Sequence, residues 1–453
     1  MTEDMKNFDD VKSERESFLE NPVEVFTDEV SETAADAAEA MEEIAAGGEA
    51  VAEKPVIESE ARLTVMQAIG IIVGHSIGSG ILTVPWIAMR TAWYHVIWIV
   101  AVAYVVGVLM HLVIAELSYN SGGAQIVKSL ERYMFKGKAK KYFSWIVFAM
   151  YGFAVVVQIS GFISGIAEIL VGWWPTFPVW SAKLLFYVLA SLIVLVGMKA
   201  VGISEKYLVM ILVGFVGAIG IGALCVPRGD WNALQVGNTS FVNIMALYGL
   251  TSFALMASQS VVQAVKGLNG NAKKIRFSIA AGIGVDAIVV LILTFAIMLT
   301  TTKVNVGDNE ALLMFTVGVR DTIGTWAMIL GGLFAMFAIL TTFLSCTLNL
   351  RDIVHEQTKW DRRICYIAAT LPSLAIAFIP KVSFMSLISM MVSVTSVLSG
   401  LMVLIAYGIS RKQANGVSPI AGKAGTWPVL AVLILLSLVS TIGAGAIGFG
   451  WIK

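Results

Sequence analysis

The chain has 453 residues, 57% of them hydrophobic and 14% charged, which is too apolar for a soluble protein of this length. Its formal net charge is zero, so it carries no basic surplus of the kind that holds nucleic acid. Three cysteines (Cys225, Cys346 and Cys365) and four histidines show no metal-ligand or disulfide spacing. With no nucleophile and base set and no phosphate-binding loop, the sequence argues against an enzyme or an ATP-driven pump, and no cofactor is expected. What remains is a polytopic membrane protein.

Residues 1–64 hold nineteen of the acidic residues and only five Lys or Arg. Such a segment is rich in Glu and Ala and buries too little apolar surface to fold alone, so residues 1–62 are expected to form a disordered acidic cytoplasmic tail ahead of a transmembrane domain at 63–453. No short basic leader precedes the first apolar stretch, and no cleavable signal peptide is expected.

From residue 65 onward, apolar stretches of about twenty residues recur, each long enough to cross roughly 30 Å of hydrocarbon. They fall near 65–89, 93–117, 142–172, 180–198, 205–226, 241–265, 278–300, 324–350, 362–380, 383–409 and 427–450. The basic residues set the orientation. Nineteen Lys and Arg lie in the connections after the even-numbered spans and six on the opposite side, which predicts a cytoplasmic N-terminus and, with eleven spans, an outward C-terminus.

The first span contains Gly74-His75-Ser76-Ile77-Gly78-Ser79-Gly80 between the apolar halves 65–73 and 81–89. Each glycine costs about 1 kcal/mol relative to alanine inside a helix. Three of them among small hydroxyls, with Pro85 downstream, predict a helix that breaks at mid-membrane. Freed backbone groups survive there only around a protein cavity, so the break marks a polar site. The competing reading is close packing through Gly74-x-x-x-Gly78. An inverted repeat of five helices then requires a second break five spans later, and Tyr248-Gly249-Leu250-Thr251-Ser252-Phe253 places a glycine among polar groups in the sixth span, where it reads either as that break or as a packing notch. Amides at a half-helix N-terminus suit a carboxylate and carbonyls at a half-helix C-terminus suit an ammonium or a small cation, so together they suit a zwitterionic amino acid.

These residues resemble a known family. The run from Gly74 to Pro85 looks like the first-span motif of the amino acid/auxin permease family, within the amino acid–polyamine–organocation superfamily. Leu250-Thr251-Ser252-Phe253-Ala254 with Val262-Gln263-Ala264-Val265-Lys266-Gly267-Leu268 resembles its sixth span, and Leu340-Thr341-Thr342-Phe343-Leu344-Ser345 through Arg351-Asp352 its eighth. Eleven spans with an inward N-terminus fit its bacterial hydroxy/aromatic amino acid permease branch.

The resemblance implies an all-α fold of about eleven membrane helices: a five-plus-five inverted repeat with broken first and sixth helices and one extra helix. It implies an ion-coupled amino acid symporter of the cytoplasmic membrane working by alternating access. An ion-independent exchanger or facilitator is the alternative, and a channel a lesser one. By the same resemblance the substrate carboxylate falls to amides at Ser76, Gly78, Ser79 and Gly80, and the amino group to carbonyls around His75, Ser76, Tyr248 and Gly249. The side chain falls to Thr251, Ser252 and Phe253, with Phe253 reading either as a gate or as packing. The stretch Leu255-Met256-Ala257-Ser258-Gln259 departs from the polar or histidine-containing sequence of many members.

Thr341, Thr342 and Ala338, with Gly74 and Ile77, resemble the sodium site of the neurotransmitter:sodium symporter family; threonines that bond back to their own helix are the other reading. The coupling ion is left as Na+ or H+. Intramembrane ionisable groups are the proton candidates: His75, His111, Glu116, Glu168 and Asp286.

Overall fold

The computed structural model describes residues 57, 59, 61–135, 137, 139–225, 239–300, 324–379, 387 and 397–448. The acidic residues ahead of the first span lie almost wholly outside that set, as does the first half of the predicted tenth span. Every regular element among the described residues is helical. In chain order they are α1 (Val65–Ser76), α2 (Ser79–Ala88), α3 (Trp93–Asn120), α4 (Ile126–Met134), α5 (Ala139–Trp173), α6 (Val179–Val196), α7 (Met198–Cys225), α8 (Phe241–Ala254), α9 (Ser258–Gly267), α10 (Ala272–Thr300), α11 (Thr325–Thr358) and α12 (Arg362–Ala377). A π-helical turn at Val397–Met402 leads into α13 (Val403–Gln413), a short 3-10 turn follows at Gly422–Gly425, and α14 (Trp427–Gly448) is the last described element.

Among the described residues six helices (α3, α5, α6, α7, α10 and α11) are long and apolar enough to cross a membrane, the α8–α9 segment Phe241–Gly267 makes a seventh span, and α1 with α2 an eighth when counted as one bent span. Their outward faces carry large apolar side chains more than half exposed, such as Val105, Leu189, Ile221 and Ile288. An apolar surface of that extent is solvated by lipid. The protein is a multi-pass membrane protein with an interruption in the first span and another in the sixth.

The first span starts at a reciprocal cap. Thr64 Oγ1 accepts from the Gln67 amide at 3.3 Å and Gln67 Oε1 from the Thr64 amide at 2.9 Å, which satisfies two of the four amides that every helix start leaves unpaired. One residue earlier, the Leu63 amide donates to the Gly267 carbonyl at 2.8 Å, tying the start of the first span to the end of the sixth. α1 then packs against α7 and α10 with α11 beside it, and α2 packs on α8.

Two predicted features are displaced. The sixth span is interrupted at Leu255–Ala257, between α8 and α9, and not at Gly249, which lies inside α8. A lone glycine's cost of about 1 kcal/mol is small beside the packing of a buried helix, whereas the amide at the actual break has an outside partner, described below. The fifth span begins at Met198 and not at residue 205. Gly197, at φ +117°, turns the chain in a conformation that side chains rarely adopt, and α7 follows directly. Glu205, at the edge of the predicted span, is therefore two turns inside a helix and fully buried.

At the end of the molecule where α3 and α10 meet the α13–α14 connection, Glu116 is committed to structure. Its carboxylate accepts from the Ile420 amide at 2.9 Å and the Ala421 amide at 2.5 Å. Arg276 of α10 donates to the Ile420 carbonyl at 3.0 Å and to that of Pro419. Together they pin the connection to the second and seventh spans.

Candidate functional site

At the first interruption α1 ends at Ser76 and α2 restarts at Ser79, with the two axes bent by 50°. Ile77 still bonds back to Val73 at 2.9 Å, and Gly78 is the non-helical residue that opens α2. Amides at Gly78, Ser79 and Gly80 belong to the first turn of a new helix, where no carbonyl of the same helix can receive them and the positive dipole end collects.

Two close approaches explain the glycines. A Cβ on Gly80 would lie 2.5 Å from the Cα of Ala254, the last residue of α8. The first turn of α2 thus abuts the end of α8 backbone to backbone, and the two interruptions face each other. A Cβ on Gly78 would overlap the Thr342 side chain of α11, 2.6 Å from its Cβ.

Thr342 occupies the meeting point of three carbonyls. Its Oγ1 lies 3.1 Å from the Gly74 carbonyl, 3.2 Å from that of His75 and 3.1 Å from that of Ala338. Thr341 donates to Ala338 at 2.9 Å. The structure therefore brings together Gly74, Ala338, Thr341 and Thr342 of the five residues predicted to bind an ion; Ile77 is buried at the same break. Oxygen donors of this kind suit a hard monovalent cation, and the same hydroxyls satisfy helix carbonyls.

The remaining predicted residues divide. His75 is buried, its Nδ1 3.9 Å from Cys346 Sγ of α11. Asp286 of α10 lies beside the Ser76 hydroxyl, and neither residue's side-chain oxygens meet a partner at hydrogen-bonding distance. Thr251 is fully buried in α8 with its hydroxyl unpartnered. Phe253 is half-buried and packs against the core, and Gly249 is buried within α8. Tyr248 and Ser252 line a cavity on the flank of α8, shared with His111, Met256 and Ser440. No first-span residue lines that cavity, so it is adjacent to the facing interruptions and not between them. The side chain of Ser79 is outside the described residues.

Sequence reasoning missed how the second interruption is held. The amide of Ala257, which opens α9, donates to His111 Nε2 at 2.8 Å, and His111 Nδ1 meets the Gly107 carbonyl at 2.5 Å. These bonds fit one neutral tautomer, with the proton on Nδ1 and the lone pair on Nε2. A side chain of the second span thereby caps the half-helix of the sixth. Glu205 was also missed: one oxygen accepts from Ser345 Oγ at 2.9 Å and the other has no partner.

Helices interrupted in pairs at mid-span, with unpaired backbone ends facing each other, are a recurring plan for small-molecule sites in membrane transporters. A family model, the tryptophan/tyrosine permease family, matches residues 62–442. The chain belongs to the tryptophan/tyrosine permease family. This permease is accordingly a transporter and not an enzyme. Among curated proteins none matches it.

Solved structures share its fold at low sequence identity. MhsT in complex with L-phenylalanine is 14% identical with a TM-score of 0.58, over 87% of this chain and all of that one. Mhp1, a nucleobase-cation-symport-1 family transporter in a closed conformation with bromovinylhydantoin bound, is 12% identical with a TM-score of 0.55, over 87% and 93%. The manganese transporter of Eremococcus coleocola is 14% identical with a TM-score of 0.59, over 87% and 91%. One fold that holds L-phenylalanine in one structure and bromovinylhydantoin in another, and that serves a manganese transporter in a third, does not by itself choose the substrate.

Proposed function

We propose that the permease is an ion-coupled symporter of aromatic or hydroxy amino acids in the cytoplasmic membrane, with its N-terminus inside, its C-terminus outside and an alternating-access cycle. The observation that carries this reading is the abutment of Gly80 on Ala254. It sets the positive start of α2 next to the carbonyl-bearing end of α8, which complements the carboxylate and ammonium of one amino acid about two bonds apart. The family's name and the L-phenylalanine held by the similar MhsT support an aromatic side chain.

Rocking has a natural seam. Lys266, at the end of the sixth span, pairs with Glu356 of the eighth at 2.8 Å, and Glu356 also accepts from the Gln125 amide at 2.9 Å. In this reading that polar contact is on the cytoplasmic side and parts when the site opens inward.

The test is uptake by proteoliposomes of labelled L-tryptophan, L-tyrosine, L-phenylalanine and L-serine under separately imposed proton and sodium gradients. Saturable accumulation of at least one of the four, driven by one gradient, is expected. Saturable flux indifferent to both gradients would instead identify an exchanger or facilitator.

A further inference from the structure

Between the second and third spans the chain concentrates positive charge: residues 121–141 carry six Lys or Arg and one acid, Glu131. Lys136 and Lys138 lie outside the described residues. The fold gathers three of the others around a cavity of about 270 Å³ bounded by α4, the start of α5 and the end of α11. Lys128 of α4 and Lys140 and Lys141 of the first turn of α5 line it. Glu131, the carboxylate on its wall, pairs with Lys128 at 2.8 Å and accepts from the Ser144 hydroxyl at 2.7 Å. Ser144 accepts in turn from Gln357 of α11 at 3.3 Å. Three lysines against one acid leave the cavity with a surplus of two positive charges, and the positive start of α5 adds to it.

The cavity sits where the protein meets the membrane surface. Directly after the lysines, Tyr142 is 73% exposed and Phe143, Trp145 and Ile146 are about half exposed, and Trp145 lines the cavity itself. Basic side chains followed at once by outward Tyr and Trp mark the level of lipid headgroups, where amphipathic rings settle at the interface and lysines reach out of the hydrocarbon. Gly137, at φ +66°, turns the chain between α4 and α5, and Phe135 stacks on Phe143 with ring centroids 5.1 Å apart. That turn brings the lysines of both helices to one opening.

We propose that this cavity binds the headgroup of an anionic phospholipid, with its phosphate among Lys128, Lys140 and Lys141 and its acyl chains along the exposed face of α5 beyond Trp145. On the orientation proposed above this is the inner leaflet, where basic side chains beside a span attract anionic lipid; binding itself does not depend on that orientation. The bound headgroup bridges α4 and α5 and, through Ser144 and Gln357, reaches α11, so it stabilises the folded protein as a ligand does.

The test titrates purified full-length permease in an uncharged detergent with phosphatidylglycerol, counting bound lipid by native mass spectrometry and following the melting temperature. Phosphatidylcholine with the same acyl chains and inorganic phosphate are the parallel probes. The wild type is expected to bind phosphatidylglycerol saturably and to melt higher with it, and to respond to neither of the other two. Lys140→Gln combined with Lys141→Gln is expected to weaken binding by about twentyfold to thirtyfold and to lose the rise in melting temperature. Lys412→Gln combined with Lys423→Gln removes the same charge from the connection after the tenth span and is expected to bind as the wild type does. Equal weakening in the two double variants overturns the proposal, because diffuse surface charge then suffices. Equal binding of phosphatidylcholine overturns it, and so does an equal rise in melting temperature with inorganic phosphate, which would make the cavity a site for free anions. Should the Lys140 and Lys141 double variant fail to fold, Lys141→Gln alone decides: its side chain is exposed, a loss of about fivefold is expected, and wild-type affinity overturns the proposal.

Discussion

Gly80→Ala is expected to lower amino acid affinity and uptake by about tenfold to a hundredfold while the protein inserts normally. The added methyl would sit 2.5 Å from Ala254 Cα and 2.9 Å from its backbone nitrogen. Both are main-chain atoms, so no side-chain rotation relieves the overlap and α2 must separate from α8. Overpacking of this kind costs typically 1–3 kcal/mol, and every 1.4 kcal/mol corresponds to tenfold in affinity. The loss falls on the site because the contact joins the two interruptions whose backbone ends are proposed to hold the zwitterion. Binding of labelled L-tryptophan to purified protein, with size-exclusion behaviour as the control for folding, measures it. Wild-type affinity in Gly80→Ala would show that the spacing between α2 and α8 is not part of recognition.

His111→Leu is expected to destabilise the protein by about 1–3 kcal/mol and to weaken substrate binding. Leucine fills similar space but offers no lone pair, so the buried amide of Ala257 loses its imidazole acceptor, at 2.8 Å, and an unsatisfied buried amide costs about that much. The relaxation open to it is to extend α9 backward through Leu255–Ala257, which erases the second interruption. Thermal unfolding and L-tryptophan binding should therefore fall together. Gln in the same position, whose amide oxygen can accept the bond, should recover part of both. An unaltered melting temperature and affinity in His111→Leu would mean that the interruption stands without its cap.

The contrast between the two interruptions shows what a sequence can and cannot disclose. The first is legible because its causes are local: three glycines among hydroxyls weaken the helix where it breaks, and the closeness of Ala254 and Thr342 then makes two of those glycines obligatory. The second has no local cause. Leu255, Met256 and Ala257 are ordinary helix residues, and the break is stabilised by an imidazole 146 positions away, so the eye falls on Gly249, which the packed helix absorbs. The same limit hid Glu205. The predicted fifth span starts only at residue 205, which leaves Glu205 at its edge, but the positive-φ glycine at 197 carries the turn and places the acid inside the protein. The second, third, fourth, seventh and eighth spans follow from hydropathy with shifts of their ends, since twenty apolar residues in a row have few other fates.

The most direct test of the account is an experimental structure with L-tryptophan bound. The ligand's carboxylate is expected within hydrogen-bonding distance of the amides of Gly78, Ser79 and Gly80, with its ammonium toward the end of α8. Ligand density confined to the flanking cavity lined by His111, Met256 and Ser440, or first and sixth spans that run unbroken past a bound ligand, would contradict it.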